Sequence, residues 1–153
     1  MFSREETSRI KQEFWTAFGK YMNPVRSAEG TKVNWINYHT GIKDVYFRMD
    51  AGQKSGLISI SLEHSDPDIQ ELYFEQFQEY QDILHDTLAE EWTWQLHHQG
   101  ADGRVISRVY KELADRSVLN KDQWADLISF FKPRIIALDG FWENAKYGFE
   151  MLK

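Results

Sequence analysis

The stretch DPDIQELYFEQFQEYQDILHDTLAEE, from Asp66 to Glu91, decides the fold of this chain. Its apolar residues recur every three or four positions, the spacing that places side chains on one side of an α-helix. This stripe consists of Ile69, Tyr73, Phe77, Tyr80, Leu84 and Leu88, widened by Leu72 and Ile83. Asp66 is a suitable N-cap, and Pro67 suits the first helical position. The pattern predicts one long helix that lies across a sheet at the centre of the core.

The opposite side of this predicted helix carries only acidic charge. Its ridge consists of Glu71, Glu75, Glu79, Asp82 and Asp86. Between Lys54 and Arg104 the chain has eleven acidic residues and no Lys or Arg, while the two flanks together carry a net charge of +5. Because the Debye length is about 8 Å at physiological salt, the fields of neighbouring carboxylates add. We interpret the ridge as a solvated surface and expect that nucleic acid does not bind there.

Length and composition favour a soluble protein with one domain over residues 1–153. The chain has 10 Phe, 7 Tyr and 6 Trp, enough large apolar side chains for a substantial core. It has no cysteine, which excludes disulfides and thiolate chemistry and suits a reducing compartment. No apolar run approaches the roughly 20 residues of a membrane span, and the N-terminal residues do not resemble a signal peptide. We therefore expect a cytoplasmic protein without a membrane segment.

Five stretches of sequence have the pattern of β-strands. Three precede the acidic helix, at residues 32–38, 42–50 and 57–63, and two follow it, at residues 92–97 and 104–113. Apolar and polar residues alternate along most of them, as in strands with one buried and one wetter face. In the last strand, either Val105 and Val109 or Ile106 and Tyr110 could face the core. The sequence leaves that choice open.

Two further helices are predicted near the ends of the chain. The first begins near Ser3, which forms a capping-box pattern with Glu6, and buries a stripe that includes Tyr21. The last begins at about Asn120 and continues through Pro133 with a kink, or else breaks there. The predicted fold is thus α+β, in the order α-β-β-β-α-β-β-α. It has a five-stranded, mainly antiparallel sheet with helices packed mostly on one face.

No recognisable catalytic motif occurs in the chain. There is no GxSxG, GxGxxG, GxxxxGK[ST] or HExxH pattern, and no strand carries the acid-x-Lys pair typical of metal-dependent nucleases. The histidines lack the spacing of a metal site. We assign no catalytic residue, no metal ligand and no cofactor.

The wetter face of the sheet is the best candidate for binding. Aromatic rings and arginines on an open sheet stack bases or receive a protein partner, although an ordinary solvated surface is the alternative interpretation. The residues expected on this face are Tyr46, Arg48, Gln95, His97, Arg108 and Tyr110. If a polyanion binds here, we expect weak, salt-sensitive binding of single strands that depends on Arg48 and Arg108.

The aromatic pattern of the chain resembles that of a known family. The residues that carry it are Phe14-Trp15, the run Asn34 to Tyr38, Gly41-Ile42, Tyr46 to Arg48, Glu91-Trp92, Phe130-Phe131, Leu138-Asp139 and Phe141-Trp142. The pattern is similar to an uncharacterised bacterial domain family, whose members stand alone or follow nuclease-like domains. These are core-type aromatics, so the resemblance implies a scaffold and no set of catalytic residues.

Two function classes follow. The first is a non-catalytic binding or interaction module with a protein partner. The second, implied by the family's neighbours, is a nuclease-family enzyme or a nucleic-acid-contacting accessory domain in a restriction or defence system. A homodimer is the default expectation, because two-fold dimers are the commonest soluble oligomers.

Overall fold

The computed structural model describes residues 2–152, which contain four α-helices and four β-strands. In chain order these are α1 (Arg4–Met22), β1 (Val45–Ala51), β2 (Ser55–Leu62), α2 (Pro67–Glu79), α3 (Gln81–Leu88), β3 (Thr93–Gln99), β4 (Val105–Ala114) and α4 (Trp124–Glu150). A short 3-10 turn at Lys121–Gln123 leads into α4. The α+β class is confirmed, but the order is α-β-β-α-α-β-β-α rather than the predicted one.

The four strands form one antiparallel sheet in the order β1-β2-β4-β3. One face, called the inner face, aligns four apolar residues across the strands: Phe47, Ile60, Val109 and Trp94. Phe47 packs edge-on against Trp142 of α4, and Trp94 packs in the same way against Phe74 of α2. The helices therefore cover the inner face. The face on the side away from these helices is called the outer face.

The prediction of a fifth strand at residues 32–38 is wrong, because this segment forms turns and loops. Its buried residues do not alternate: Trp35 is buried and Tyr38 is half-buried three positions later, whereas Ile36 is 40% exposed. The Trp35 indole N–H donates to the carbonyl of Val25 at 3.0 Å, and the Tyr38 ring stacks on Phe47. Side-chain anchors three residues apart do not suit the two-residue period of a strand.

The central helix is two helices, which is a second correction. Tyr80 leaves the helical conformation, with φ −101° and ψ 12°, between the end of α2 and the start of α3. Its ring packs against Phe141 and Phe149 of α4, and a Cβ at Gly148 would overlap its hydroxyl. The partner that holds Tyr80 at the break thus lies on another helix. The local sequence has neither Pro nor Gly to mark such a break.

Three apolar residues assigned to helix stripes face solvent instead. Leu72, Ile83 and Tyr21 are 44%, 58% and 61% exposed. Each is adjacent to, or two positions from, a buried residue that packs in its place: Phe74, Leu84 and Met22. The predicted stripes are therefore correct in period but misplaced at their edges, since Phe74 and Met22, which they left out, are buried.

The two terminal helices are present as predicted, but α4 begins at Trp124 rather than at about Asn120, which instead caps the 3-10 turn before it. Ser3 and Glu6 form the expected capping box at the start of α1, and α1 ends before the Asn23-Pro24 pair. The alternative of a break at Pro133 is wrong, since α4 is one helix of 27 residues with Pro133 inside it. Pro133 is exposed, so water can reach the backbone carbonyl that loses its helical partner there.

Candidate functional site

The outer face places its polar residues in two rows across the strands. Strand register aligns Tyr46, Ser61, Arg108 and Gln95 in one row, and Arg48, Ser59, Tyr110 and Thr93 in the next. Val109 and Ser107 of β4 face inward and are fully buried, so the set with Ile106 and Tyr110 faces outward. This settles the choice that the sequence left open for β4.

Two arginine–tyrosine stacks stand on either side of β2. The guanidinium carbon of Arg48 lies 4.1 Å from the centre of the Tyr46 ring, and that of Arg108 lies 4.2 Å from the Tyr110 ring. β1 and β4 both run antiparallel to β2, so they run parallel to each other and the order of arginine and tyrosine is reversed between them. We call these four side chains the Arg–Tyr platform.

The platform forms a continuous layer over the serines of β2. Ser59 is 4% exposed and Ser61 is 1% exposed, although both belong to the outer face. Each serine lies between one arginine and one tyrosine of the platform on the adjacent strands. Because serine is short, the longer neighbours close over it. The outer face therefore presents flat guanidinium and ring surfaces rather than a cleft.

One arginine of the platform is neutralised by Glu63, which directly follows β2. Arg48 makes a two-pronged ion pair with the Glu63 carboxylate, which also accepts a hydrogen bond from the Ser61 hydroxyl at 2.7 Å. Burial alone would raise the pKa of the Glu63 carboxyl, but the hydrogen bonds from Arg48 and Ser61 hold that pKa below its usual value. Arg48 is thereby held in place over Tyr46.

The other arginine keeps its charge uncompensated. Arg108 Nε donates to the neutral side-chain oxygen of Gln95 at 2.7 Å. None of the ion pairs within residues 2–152 includes Arg108. Its guanidinium is thus fixed by the Tyr110 ring and by Gln95, without a carboxylate that would compete with an anionic ligand.

A concave pocket of about 460 Å³ adjoins the platform at the turn between β3 and β4. Its lining consists of Arg48, Glu63, Ile106, Arg104 and residues 100–102. Arg104 approaches Glu63 only to 3.4 Å, and its side chain is 60% exposed. Two guanidinium groups therefore line the pocket, and that of Arg104 is weakly held.

His97 does not join the other five predicted residues on the platform side. It occupies a bulge in β3, with φ 52°, and its Nε2 lies 2.8 Å from the carbonyl oxygen of Pro67 at the start of α2. Its backbone N–H donates to the hydroxyl of Ser107, which faces inward. The bulge interrupts the alternation from which we assigned His97 to the wetter face.

Sequence reasoning missed Glu63 and Arg104 as members of this surface. Ser59 and Ser61 belong to the outer face of β2, and Glu63 lies two residues after Ser61. The two-residue period of a strand therefore predicts that Glu63 belongs to the outer face as well. Arg104 lies in a turn, where no period applies, and only the folded hairpin brings it to Glu63.

A second polar cluster lies on the other side of the molecule, where α4 meets the loop before β1. The Asp139 carboxylate, 6% exposed, accepts hydrogen bonds from the Tyr38 hydroxyl at 2.5 Å and from the Ala28 N–H at 2.7 Å. Burial and the bond to Asp139 raise the pKa of the Tyr38 hydroxyl. We call Asp139, Tyr38 and Ala28 the Asp139 anchor. It fastens residues 28–38 to α4.

Within residues 2–152, no three His, Asp or Glu side chains lie close enough together to hold a metal ion. None of the helices in this range is long and apolar enough to cross a membrane.

The model of one protein family matches residues 10–146, from α1 to the last third of α4. That family is described as DUF4268, a domain of unknown function. This chain belongs to the DUF4268 family. Comparison with curated proteins and with solved structures gave no match.

The DUF4268 match includes both the platform and the Asp139 anchor. The family description assigns no activity, so the function of the domain has to be inferred from the structures of the platform and the anchor. The anchor is buried and internally satisfied, whereas the platform is open to solvent and keeps one arginine without a carboxylate partner. The platform is the candidate site.

Proposed function

We propose that this DUF4268 domain is a non-catalytic binding module that receives its ligand on the Arg–Tyr platform. The observation that carries the proposal is the pair of ordered arginine–tyrosine stacks on a sheet face that lies away from the helices. Arginine and tyrosine are the residue types that dominate binding energy in many interfaces.

The side chains of the platform are already held in one conformation, which supports binding because a ligand does not have to immobilise them. Holding a long side chain in one rotamer costs about 0.5–1.5 kcal/mol on association. Arg48 is already held by Tyr46 and Glu63, and Arg108 by Tyr110 and Gln95. A pre-ordered surface therefore retains more of its contact energy as affinity.

The test is a capture experiment from native lysate with two matched double variants. Arg48→Ala plus Arg108→Ala removes both stacks, and Arg9→Ala plus Arg26→Ala makes the same change in net charge at exposed positions elsewhere. We expect the wild type and the Arg9/Arg26 variant to retain the same macromolecule, and the platform variant to lose it. Equal retention by all three proteins contradicts the proposal.

The class of ligand is read from the same experiment. Treatment of the captured material with nuclease or with protease distinguishes a nucleic acid from a protein partner. A protein partner was the expectation from the sequence.

The proposal includes a cytoplasmic location, favoured by the lack of cysteine, and a two-fold homodimer as the default assembly. Light scattering at two protein concentrations measures the assembly.

The alternative of a nuclease-family enzyme stays a prediction from the resemblance. Incubation of the pure protein with supercoiled plasmid and Mg²⁺ or Mn²⁺ tests it directly. Cleavage that follows the protein through purification, and that disappears with a chelator, would replace the binding module with a metal-dependent nuclease.

A further inference from the structure

We propose that the ligand of the platform is single-stranded nucleic acid, with bases stacked on the platform and phosphates held by Arg104 and Arg108. This inference rests on the proposed function and names the class of ligand for the same site. Three features of the outer face support it: the flat shape of the platform, the charge around it and the position of the adjoining pocket.

The shape of the platform suits planar ligands. The two tyrosine rings and the two guanidinium planes form a flat layer, because the serines beneath them are short and covered. Bases without a paired strand stack on aromatic rings and on arginine planes alike. The centres of protein interfaces are instead largely apolar, and the platform itself contains no aliphatic side chain.

The charge of the outer face favours binding of a polyanion at the end that adjoins the pocket. Near the pocket, three arginines, Arg48, Arg104 and Arg108, outnumber the two acidic residues that line it, Glu63 and Asp102. At the opposite end of the outer face, Asp50 and Glu112 flank Leu57 in the row directly next to that of Arg48, Ser59 and Tyr110. A phosphate chain is therefore directed to the pocket end and away from the acidic end.

The acidic ridge supports the same orientation. Glu75, Glu79, Asp82 and Asp86 are exposed on α2 and α3, and α2 packs on the inner face of the sheet. The densest negative charge of the chain thus belongs to the layer on the far side of the sheet from the platform. A polyanion is repelled by the layer of α2 and α3 and attracted to the arginines on the outer face.

The pocket adds a site for phosphate next to the stacking surface. Its volume of about 460 Å³ is lined by Arg48 and Arg104 and by two acidic residues, Glu63 and Asp102. Arg48 is paired with Glu63, which leaves the guanidinium group of Arg104 for a phosphate. Arg104 is mostly exposed and only 3.4 Å from Glu63, so it can turn toward an arriving phosphate oxygen. Bidentate arginine contacts are the usual protein partners of phosphate.

The experiment is fluorescence anisotropy with a labelled oligothymidylate of about 12 nucleotides, within the usual site size of a small module. We expect binding at about 50 mM salt that becomes about sevenfold weaker at 200 mM, from about two phosphate contacts. A duplex of the same length should bind more weakly, since its bases are already stacked. No binding at low salt, or equal binding of the duplex, overturns the proposal.

Three variants assign the binding to the platform. Arg48→Ala plus Arg108→Ala should weaken single-strand binding at least about tenfold, while Arg9→Ala plus Arg26→Ala should leave it unchanged. Arg48→Lys plus Arg108→Lys keeps the charge and the two tyrosine rings but removes the two guanidinium planes, so it should keep the salt dependence and reduce the preference for single strands. Equal weakening by both alanine double variants would show only a net-charge effect and would overturn the proposal.

A polyglutamate competitor separates this inference from the proposed function. At equal charge concentration it should displace the oligonucleotide poorly, because it offers no bases to stack. Equal displacement overturns the nucleic-acid ligand. If the lysate experiment then still yields a protein that depends on Arg48 and Arg108, the binding module stands while the nucleic-acid inference fails.

Discussion

The Asp139 anchor and the Arg–Tyr platform both join a tyrosine to a charged group, but they lie in opposite environments. In the anchor, a carboxylate that is 6% exposed accepts hydrogen bonds from the Tyr38 hydroxyl and the Ala28 N–H. In the platform, the Arg48 side chain is 53% exposed and lies flat on the ring of Tyr46.

The difference in burial separates a contribution to stability from a contribution to binding. A buried polar group that loses its partner bears the full cost of desolvation, whereas an exposed one exchanges its partner for water. The anchor should therefore affect the folded state strongly and binding little. The platform should do the reverse, and four variants test this contrast, from the largest expected effect to the smallest.

Asp139→Ala should have the largest effect on stability. It leaves the Tyr38 hydroxyl and the Ala28 N–H without their acceptor, so we expect the free energy of unfolding to fall by about 2–4 kcal/mol. Urea unfolding measures this loss, and Asn144→Ala, an exposed change on the same helix, is the control. A loss below about 1 kcal/mol would show that the anchor does not hold the loop.

Tyr38→Phe should cost about 1–2 kcal/mol at neutral pH, because it removes one donor and keeps the ring on Phe47. The folded state raises the pKa of the Tyr38 hydroxyl above its ordinary value of about 10. The stabilisation is therefore full below about pH 10 and is lost as the pH rises further. The gap in unfolding free energy between wild type and variant should narrow above that pH. A constant gap would contradict this linkage.

Glu63→Gln should cost about 1 kcal/mol or less, because its partner Arg48 is exposed and can be hydrated. The pKa of the Glu63 carboxyl is lowered in the folded state, so its stabilisation is present above the ordinary value of about 4.3. It is lost as the pH falls through the folded pKa. Thermal unfolding of both proteins from pH 7 downward should show the difference disappear. A difference that grows in acid would contradict the lowered pKa.

Arg108→Ala should have the smallest effect on stability, within about 0.5 kcal/mol, since its polar partner Gln95 is neutral and its half-buried side chain lies on the outer face in no ion pair. The same variant should weaken oligonucleotide binding. A large loss of stability would show that Arg108 has a structural role, as the Asp139 anchor does. The matched measurement on Arg26→Ala, an exposed arginine in a loop, provides the reference.

Much of the platform could be predicted from sequence because alternation along a strand is a local property. Tyr46 and Arg48 on β1, and Arg108 and Tyr110 on β4, lie two residues apart and therefore share a face. Gln95 follows by the same rule. His97 failed it, because at the bulge in β3 it contacts Pro67 of α2 and Ser107 of β4, and the sequence of the strand itself does not show these partners.

The Asp139 anchor could not be predicted in this way. Asp139 and Tyr38 belong to the aromatic pattern that resembled the family, but they are 101 residues apart and their hydrogen bond has no local signature. The same long-range contacts explain the missing fifth strand. Residues 32–38 contain β-forming residues, yet Trp35 and Tyr38 are held by distant partners rather than by a neighbouring strand.

The sequence by itself determined the helix and strand periods, the capping box of α1 and the acidic ridge. These depend on residues within a few positions of one another, where spacing dictates the direction of each side chain. Tertiary structure alone decided the break at Tyr80, the loop at residues 32–38, the position of His97 and the meeting of Arg104 with Glu63. Each of these depends on a partner from another element, whose position is set only when the core packs.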